Sequence, residues 1–352
     1  NFHDSLENYK KITGQVDGEG NRVGTNTETS GRYHTDWLNM MYPRLRLARN
    51  LLTDDGVIFI SIDDNEVDNL KKICNEVFGE ENFRNQIIVR RGAKSVQAQF
   101  ETWDKLGQDT EYILFYTKNA DYRFPKQTKK LDEARQGGWN NHWRGTDRPT
   151  MRYTIFGITP ESGQWRWGRE RSEKAIENYN NMLFKLNETP ESITQEKIDS
   201  YYSQLSEEID LLRLSRTGKP EHYIAPTDST LLNSSWYDLL IGSSSEIMDL
   251  FEKKVFDTAK LTAIINRMLK FSDKDALILD FFSGSSTTAH AVMQLNAEDG
   301  GNRKFIMVQL PEPTDDPEFT NICEIGKERI RRAGEKIKEE NKDKENIENL
   351  DI

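Results

Sequence analysis

The chain has 352 residues, with 48 Lys and Arg against 59 Asp and Glu and a formal net charge of −11. This length suits one large domain or two of ordinary size. The longest apolar run, Val57–Ile62, is far too short to cross a bilayer, which argues against an integral membrane protein. Two cysteines and five scattered histidines form neither a disulfide framework nor a zinc site, so we predict no metal and a reduced, cytoplasmic setting.

The first third of the chain alternates predicted helices and strands. Residues 1–34 are polar and Gly-rich, which predicts a loop. A helix is predicted from Thr35 to Leu52, with a kink or break at Pro43. The run Val57–Ile62 is continuously β-branched and aromatic, which is typical of a strand covered on both faces. The elements predicted next are a helix over 67–78 and strands over 86–90 and 112–117.

The middle of the chain differs in charge and aromatic content. Residues 84–171 hold 17 Lys and Arg against 10 Asp and Glu, together with five of the seven tryptophans. Strand and helix patterning resumes near residue 261, so we predict an α/β sheet interrupted by an inserted domain. The predicted segments are a loop over 1–34, the first part of the α/β domain over 35–119, the insert over 120–245, the second part over 246–335 and a charged tail over 336–352.

The sharpest local signal is the run Asp280–His290, which reads DFFSGSSTTAH. An apolar strand ends in a carboxylate, a tight loop of small residues follows, and a helix begins at once. Such a loop lets the backbone approach a ligand closely, and the N–H groups at the helix start favour an anion. The lack of a Lys excludes a P-loop. A strand-end carboxylate suits an ammonium or a hydroxyl, which favours S-adenosylmethionine; an ordinary capped turn stays open as the alternative.

Two segments closely resemble a known family, the β-group DNA amino-methyltransferases, and specifically the modification subunits of type III restriction–modification systems. Asp280–Val292 with Lys304–Pro311 resembles their S-adenosylmethionine motif and next strand, and Val255–Lys260 resembles their other cofactor segment. Ser286 and Ala259 depart from the family pattern. The resemblance extends to Trp37–Leu52, Asp54–Asn65, Phe78–Phe83, Glu111–Asn119 and Ser235–Leu239. The cofactor-binding residues that it implies are Phe256, Asp257, Thr258, Lys260, Asp280, Phe281, Phe282, Ser283, Gly284, Ser285, Thr288 and Gln309.

The resemblance implies a fold, a reaction and partners. The fold is an α/β, Rossmann-like methyltransferase sheet interrupted by a target-recognition insert. The reaction is methyl transfer from S-adenosylmethionine to adenine N6 in duplex DNA, with the adenine flipped out of the helix. The implied partners are double-stranded DNA, a second modification subunit and an ATP-dependent restriction subunit. The family's catalytic D-P-P-Y or N-P-P-Y tetrapeptide is missing from the sequence. We therefore predict no catalytic residue here, read the chain as an internal fragment, and expect it to be inactive alone.

The basic insert is the predicted DNA reader. Its aromatic, amide and guanidinium groups can stack on bases or read their edges. The alternative is that the tryptophans form the core of the insert while the arginines are solvated. The candidates are Trp139, Asn141, Trp143, Arg144, Trp165, Arg166 and Arg169.

Two other functions stay open. One is a non-catalytic DNA-binding module with a degenerate methyltransferase fold, and the other is a Rossmann-like enzyme that uses a different nucleotide cofactor. Near the end of the chain, the Lys- and Glu-rich run Lys327–Asn349 predicts a solvated helix.

Overall fold

A computed structural model of the protein describes residues 32–91, 108–242 and 244–342. Most of the predicted loop over 1–34 and the last ten residues of the predicted tail lie outside the described residues. The described elements are α1 (Arg32–Leu51), β1 (Val57–Ile62), α2 (Val67–Phe78), β2 (Phe83–Arg90), β3 (Thr110–Thr117), β4 (Thr128–Arg135), β5 (Gly138–Asn141), β6 (Trp143–Arg144), β7 (Gln164–Trp165), α3 (Arg169–Leu186), α4 (Gln195–Ser203), β8 (Leu212–Leu214), β9 (Pro220–Ile224), β10 (Thr227–Leu231), β11 (Ser235–Leu240), α5 (Ser245–Phe251), α6 (Thr262–Leu269), β12 (Leu277–Asp280), α7 (Thr287–Asp299), β13 (Lys304–Met307) and α8 (Ile322–Glu340).

The chain folds into two units, and the second is inserted into the first. The first unit comprises the residues up to Gln127 and from Asn233 onward, and the second is Thr128–Leu232. The predicted insert over 120–245 encloses this second unit. Helices alternate with strands through the first unit, so the predicted α/β class is confirmed.

A four-stranded sheet forms one half of the first unit, in the order β1-β3-β2-β11. β3 runs antiparallel to both β1 and β2, and β11 is parallel to β2. Helices α1 and α2 pack on one face of this sheet, because their apolar stripes supply Leu45, Leu70 and Phe78 to a core shared with Leu114 and Tyr116. α1 is continuous through Pro43, so the predicted break does not occur. A proline removes a single N–H from the helix, and this core packing outweighs the loss.

A separate two-stranded parallel sheet forms the other half, with β12 paired to β13. α7 covers one face of it, where Ile278 and Phe305 pack against Val292 and Leu295. The opposite face leaves apolar side chains exposed, namely Leu277, Leu279, Ile306 and Val308. The sequence predicted one α/β sheet interrupted by an insert, and among the described residues the strands of this unit form two sheets.

β1 corrects a second expectation. Its neighbour among the described strands lies on one side only, and Ile62 alone of its six residues is buried. The apolar run predicted a strand covered on both faces. Ile58 and Ile60 pack on the core with α1 and α2, and Phe59 stacks on Phe115, but five of the six residues are only half-buried and all six line the cleft.

The second unit has a core of its own. β5, β9 and β8 form an antiparallel sheet, β10 pairs with β4, and β6 pairs with β7. Tyr179 and Met182 of α3 pack with Ile198 of α4 against Leu211 and Tyr223. Within the described ranges of both units, no helix is long and apolar enough to span a membrane.

Candidate functional site

A large cleft of about 2850 Å³ lies in the first unit. Its walls come from α1, β1, the segment 254–260, the loop after β12 and the segment after β13. All twelve residues predicted to bind the cofactor line this cleft, although they come from segments far apart in sequence. The carboxyl ends of two parallel strands, where ligands bind in open α/β sheets, form part of the wall.

Asp280 organises the loop that follows β12. Its Oδ1 accepts a hydrogen bond from the backbone N–H of Phe282 at 3.1 Å. Its Oδ2 accepts one from the hydroxyl of Thr288 at 2.6 Å, on the first turn of α7. A carboxylate that accepts bonds from both ends of a loop holds that loop strongly, because charge-assisted hydrogen bonds are the stronger class.

The loop has the sharp backbone that its small residues predict. Gly284 and Ser286 both have left-handed conformations, with φ of 49° and 59°. A Cβ at Gly284 would lie 3.5 Å from the ring of Phe256, so the two predicted cofactor segments touch at this point. The hydroxyl of Thr287 also donates to the carbonyl of Lys260 at 3.3 Å. The structure therefore brings segments 256–260 and 280–288 together.

Gln309 follows β13 and reaches back to the same loop. Its Oε1 accepts a hydrogen bond from the backbone N–H of Gly284 at 2.8 Å, and its Nε2 donates to the carbonyl of Leu310. The amide of Gln309 thus supports the loop. Glu312 lies three residues further along the chain and also lines the cleft.

The cleft carries charges of both signs. The ammonium of Lys260 lies 3.0 Å from the carboxylate of Glu111, and the guanidinium of Arg91 lies 3.6 Å from it. Asp257 is exposed and pairs with Lys254 at 2.6 Å, and Thr258 is exposed beside it. Glu111 is a residue that sequence reasoning missed, although an acidic side chain in the largely buried β3 was a signal for it.

The remaining loop residues divide into exposed aromatic and buried hydroxyl groups. The ring of Phe282 is 46% exposed and packs on that of Phe281. Ser283 and Ser285 are buried. An apolar ring beside charged groups of both signs suits a ligand that has a flat base, hydroxyls, an ammonium and a carboxylate. Among the residues that the structure describes, no group of three or more His, Cys, Asp or Glu side chains could hold a metal ion.

In the second unit, some of the predicted DNA-binding residues are exposed and others are buried. Trp143 is 41% exposed, and its indole N–H donates to the carbonyl of Ser162. Arg144 is exposed beside it. Arg144 lies on β6 and Arg166 directly follows its partner strand β7, and burial together with the charge of Arg144 lowers the pKa of the half-buried Arg166. Neither forms an ion pair with an acidic group within the described part of the chain, and such a pair of cations attracts an anion.

Asn141 and Arg169 are exposed as well, but both have local partners. The side chain of Asn141 accepts from the backbone N–H of Trp143 at 3.0 Å. The guanidinium of Arg169 lies 5.3 Å from the ring centre of Tyr153 and 3.9 Å from Glu173.

Two of the predicted DNA-binding tryptophans, Trp165 and Trp139, pack against other side chains of the second unit. Trp165 is 2% exposed, and its indole N–H donates to the carbonyl of Tyr153 at 2.7 Å. Trp139 packs edge-on against Tyr179, and Arg213 lies over its ring at 4.0 Å. The expectation that Trp165 contacts DNA is corrected, because its ring has no free face on which a base could stack. Trp139 is half-buried, and its ring faces other side chains.

The tail helix α8 corrects a further expectation. The sequence predicted a solvated helix, but Ile325, Ala333 and Ile337 are buried along one face. Arg329 lies on the same face and is fully buried. Sequence reasoning missed this residue, and the available signal was a single charge on an apolar stripe at helical spacing.

The first unit is thus an α/β domain whose ligand cleft opens at the ends of parallel strands. A family model described as DNA methylase matches residues 13–335. The chain is 33% identical over 326 residues to the type III restriction-modification enzyme StyLTI Mod subunit of Salmonella typhimurium (strain LT2), covering 88% of this chain and 46% of that protein. It is 30% identical over 359 residues to the EcoPI Mod subunit of Escherichia phage P1, covering 94% and 55%.

A third relative is the type II methyltransferase M.KpnI of Klebsiella pneumoniae, which is 31% identical over 337 residues, covering 83% of this chain and 71% of that protein. The chain belongs to the DNA methylase family, and the resemblance to type III modification subunits is confirmed. The chain spans about half the length of the type III relatives that it matches.

Proposed function

We propose that this chain is the cofactor-binding and DNA-recognition part of a type III modification subunit, which transfers a methyl group from S-adenosylmethionine to adenine N6 in duplex DNA. The observation that carries the proposal is the convergence of two distant cofactor segments on one cleft, where Phe256 packs beside Gly284 and Thr287 bonds to Lys260. The degenerate DNA-binding module and the enzyme with another nucleotide cofactor stay as alternatives, and the titrations described below distinguish the second of them from this proposal.

The residues of the cleft fit this cofactor. S-adenosylmethionine supplies a methyl sulfonium electrophile when bound. Asp280 holds the loop, Lys260 and Glu312 provide opposite charges, and the rings of Phe256 and Phe282 offer apolar surfaces for a base. Their task is to bind and orient the donor, and to exclude water from it.

The chemistry on the adenine needs further residues. Flipping the base costs a few kcal/mol, which stacking and edge hydrogen bonds in a pocket offset. The family supplies these contacts from its tetrapeptide, which this sequence does not contain.

The partners are part of the same proposal. In the complete protein we expect duplex DNA, a second modification subunit and an ATP-dependent restriction subunit to bind, in the cytoplasm. We propose that Arg144 on β6 and Arg166, which directly follows β7, contact phosphate.

Calorimetric titration with S-adenosylmethionine and with NAD tests the cofactor. We expect heat of binding with the first and none with the second, because the loop after β12 carries a carboxylate where a pyrophosphate would be repelled. We also expect no methyl transfer to DNA by the 352-residue chain alone, since it lacks the tetrapeptide. Binding of NAD in place of S-adenosylmethionine would contradict the proposal, and methylation by the chain alone would contradict the second expectation.

Replacing either Arg144 or Arg166 by alanine is expected to weaken DNA binding about tenfold. Each substitution removes one phosphate contact, so the slope of log K against the logarithm of the salt concentration should become shallower by about one unit. Fluorescence anisotropy at several salt concentrations measures both quantities. Arg216→Ala is the matched control, because Arg216 is an exposed arginine of the same unit that bonds to the carbonyl of Glu191. Equal affinities for all three variants would remove Arg144 and Arg166 from the interface.

A further inference from the structure

A fully buried arginine lies behind the cofactor loop. Arg329 of α8 is 0% exposed, and its Nη1 donates to the hydroxyl of Ser285 at 3.1 Å and to that of Thr287 at 2.6 Å. Its Nη2 donates to the carboxylate of Glu246 at 3.3 Å. Burial lowers the pKa of Arg329 to about 10, so the guanidinium is still charged at neutral pH. A buried charge is costly unless it is well paired, so this one needs an explanation beyond packing.

The contacts of Arg329 extend to the second cofactor segment. The hydroxyl of Thr287, which accepts from Arg329, donates in turn to the carbonyl of Lys260 at 3.3 Å. The carboxylate of Glu246 accepts from the backbone N–H of Thr262 at 3.0 Å and from its hydroxyl at 2.7 Å. One guanidinium therefore ties together the loop 283–287, the end of segment 256–260 and the start of α6.

α8 approaches the loop closely one turn before Arg329. Gly326 faces Ser286, and a Cβ at Gly326 would lie 2.5 Å from the hydroxyl oxygen of Ser286 and 3.5 Å from the carbonyl oxygen of Gly284. Ser286 has a φ of 59°, a conformation that a residue with a side chain rarely adopts without support. The back of the loop thus rests on α8, while its front faces the cleft.

We propose that Arg329 is a positioning residue, which holds the loop 283–287 in the shape that receives the cofactor. The identity of that cofactor rests on the proposed function, but the positioning role does not. A planar guanidinium can reach two hydroxyls and a carboxylate at fixed angles, whereas a lysine ammonium on the same backbone has a single centre. Arg329 does not line the cleft, whereas Ser285 and Thr287 do, so it acts through these two residues.

The test is hydrogen exchange of the ligand-free protein, together with titration of S-adenosylmethionine. In Arg329→Lys, the amides of 283–288 are expected to exchange at least tenfold faster, while the amides of β3 keep their rates. The dissociation constant for S-adenosylmethionine is expected to rise about tenfold. The matched control is Arg331→Lys on the same helix, because Arg331 is exposed and pairs with Glu328.

Thr287→Val is a second variant that tests the same proposal without changing α8. It removes the hydroxyl between Arg329 and Lys260 and is expected to change loop exchange in the same direction as Arg329→Lys. If the wild-type protein does not bind S-adenosylmethionine, the proposed function fails, while the exchange rates still decide the positioning role. Loop exchange in both variants equal to that in Arg331→Lys overturns the proposal. So does faster exchange spread evenly over the first unit, because it indicates a loss of general stability only.

Discussion

Replacing Trp165 by alanine is expected to lower the unfolding free energy of the second unit by about 3–5 kcal/mol. The ring is 2% exposed and packs with Ile155, Ala175 and Leu212. It also stacks near the buried His142. Truncating a buried tryptophan costs about 3–5 kcal/mol, which is a large fraction of the stability of a domain.

Urea denaturation followed by circular dichroism measures this loss. Trp143→Ala is the matched control on the neighbouring strand, because Trp143 is 41% exposed. Its cost in unfolding free energy is expected to stay below about 1 kcal/mol, as for other surface positions. If Trp165→Ala proved as stable as Trp143→Ala and lost DNA binding instead, the ring would belong to the interface after all.

Replacing Asp280 by alanine is expected to weaken S-adenosylmethionine binding at least 100-fold, about 3 kcal/mol. The carboxylate holds both ends of the loop, through the backbone N–H of Phe282 and the hydroxyl of Thr288. Hydrogen bonds to a charged group contribute about 1.5–3 kcal/mol each, so losing both leaves the loop without its main support. Calorimetric titration measures the affinity, and thermal denaturation measures the accompanying loss of stability.

Two variants calibrate this result. Thr288→Val removes one of the two hydrogen bonds and is expected to lie between the wild type and Asp280→Ala in affinity. Glu298→Ala changes an exposed carboxylate at the far end of α7 and is expected to bind the cofactor normally. An affinity of Asp280→Ala within threefold of the wild type would show that the loop does not depend on this carboxylate.

Much of the candidate site could be predicted because its signal is local. The order of an apolar strand, a carboxylate, small residues and a helix start lies within about fifteen residues, and the structure has β12, the loop and α7 at those positions. The segment 256–260 was found only through its resemblance to a family, since no periodicity marks it. Both segments line one cleft because the chain folds back on itself. The family resemblance implied this arrangement, but no local sequence pattern predicts it.

The errors have a common physical cause. Trp143 and Trp165 both lie in short polar and aromatic runs and pair with each other across β6 and β7, yet Trp143 is exposed and Trp165 is buried. The packing of Ile155, Ala175 and Leu212 around Trp165 decides which ring is buried, and this packing cannot be read from the runs themselves. The half-exposed β1 has the same origin, because its composition matches a central strand while its neighbours among the described strands lie on one side.

By itself, the sequence determined the alternation of strands and helices, the position of the loop after β12, and the basic, tryptophan-rich character of the inserted segment. These properties follow from residue types at short spacing, which set local backbone preferences and charge. The tertiary structure alone decided that Arg329 reaches Ser285, 44 residues away, and that Lys260 pairs with Glu111, 149 residues away. Such contacts depend on which surfaces meet when distant elements pack, because a buried charge is stable only where its partners converge.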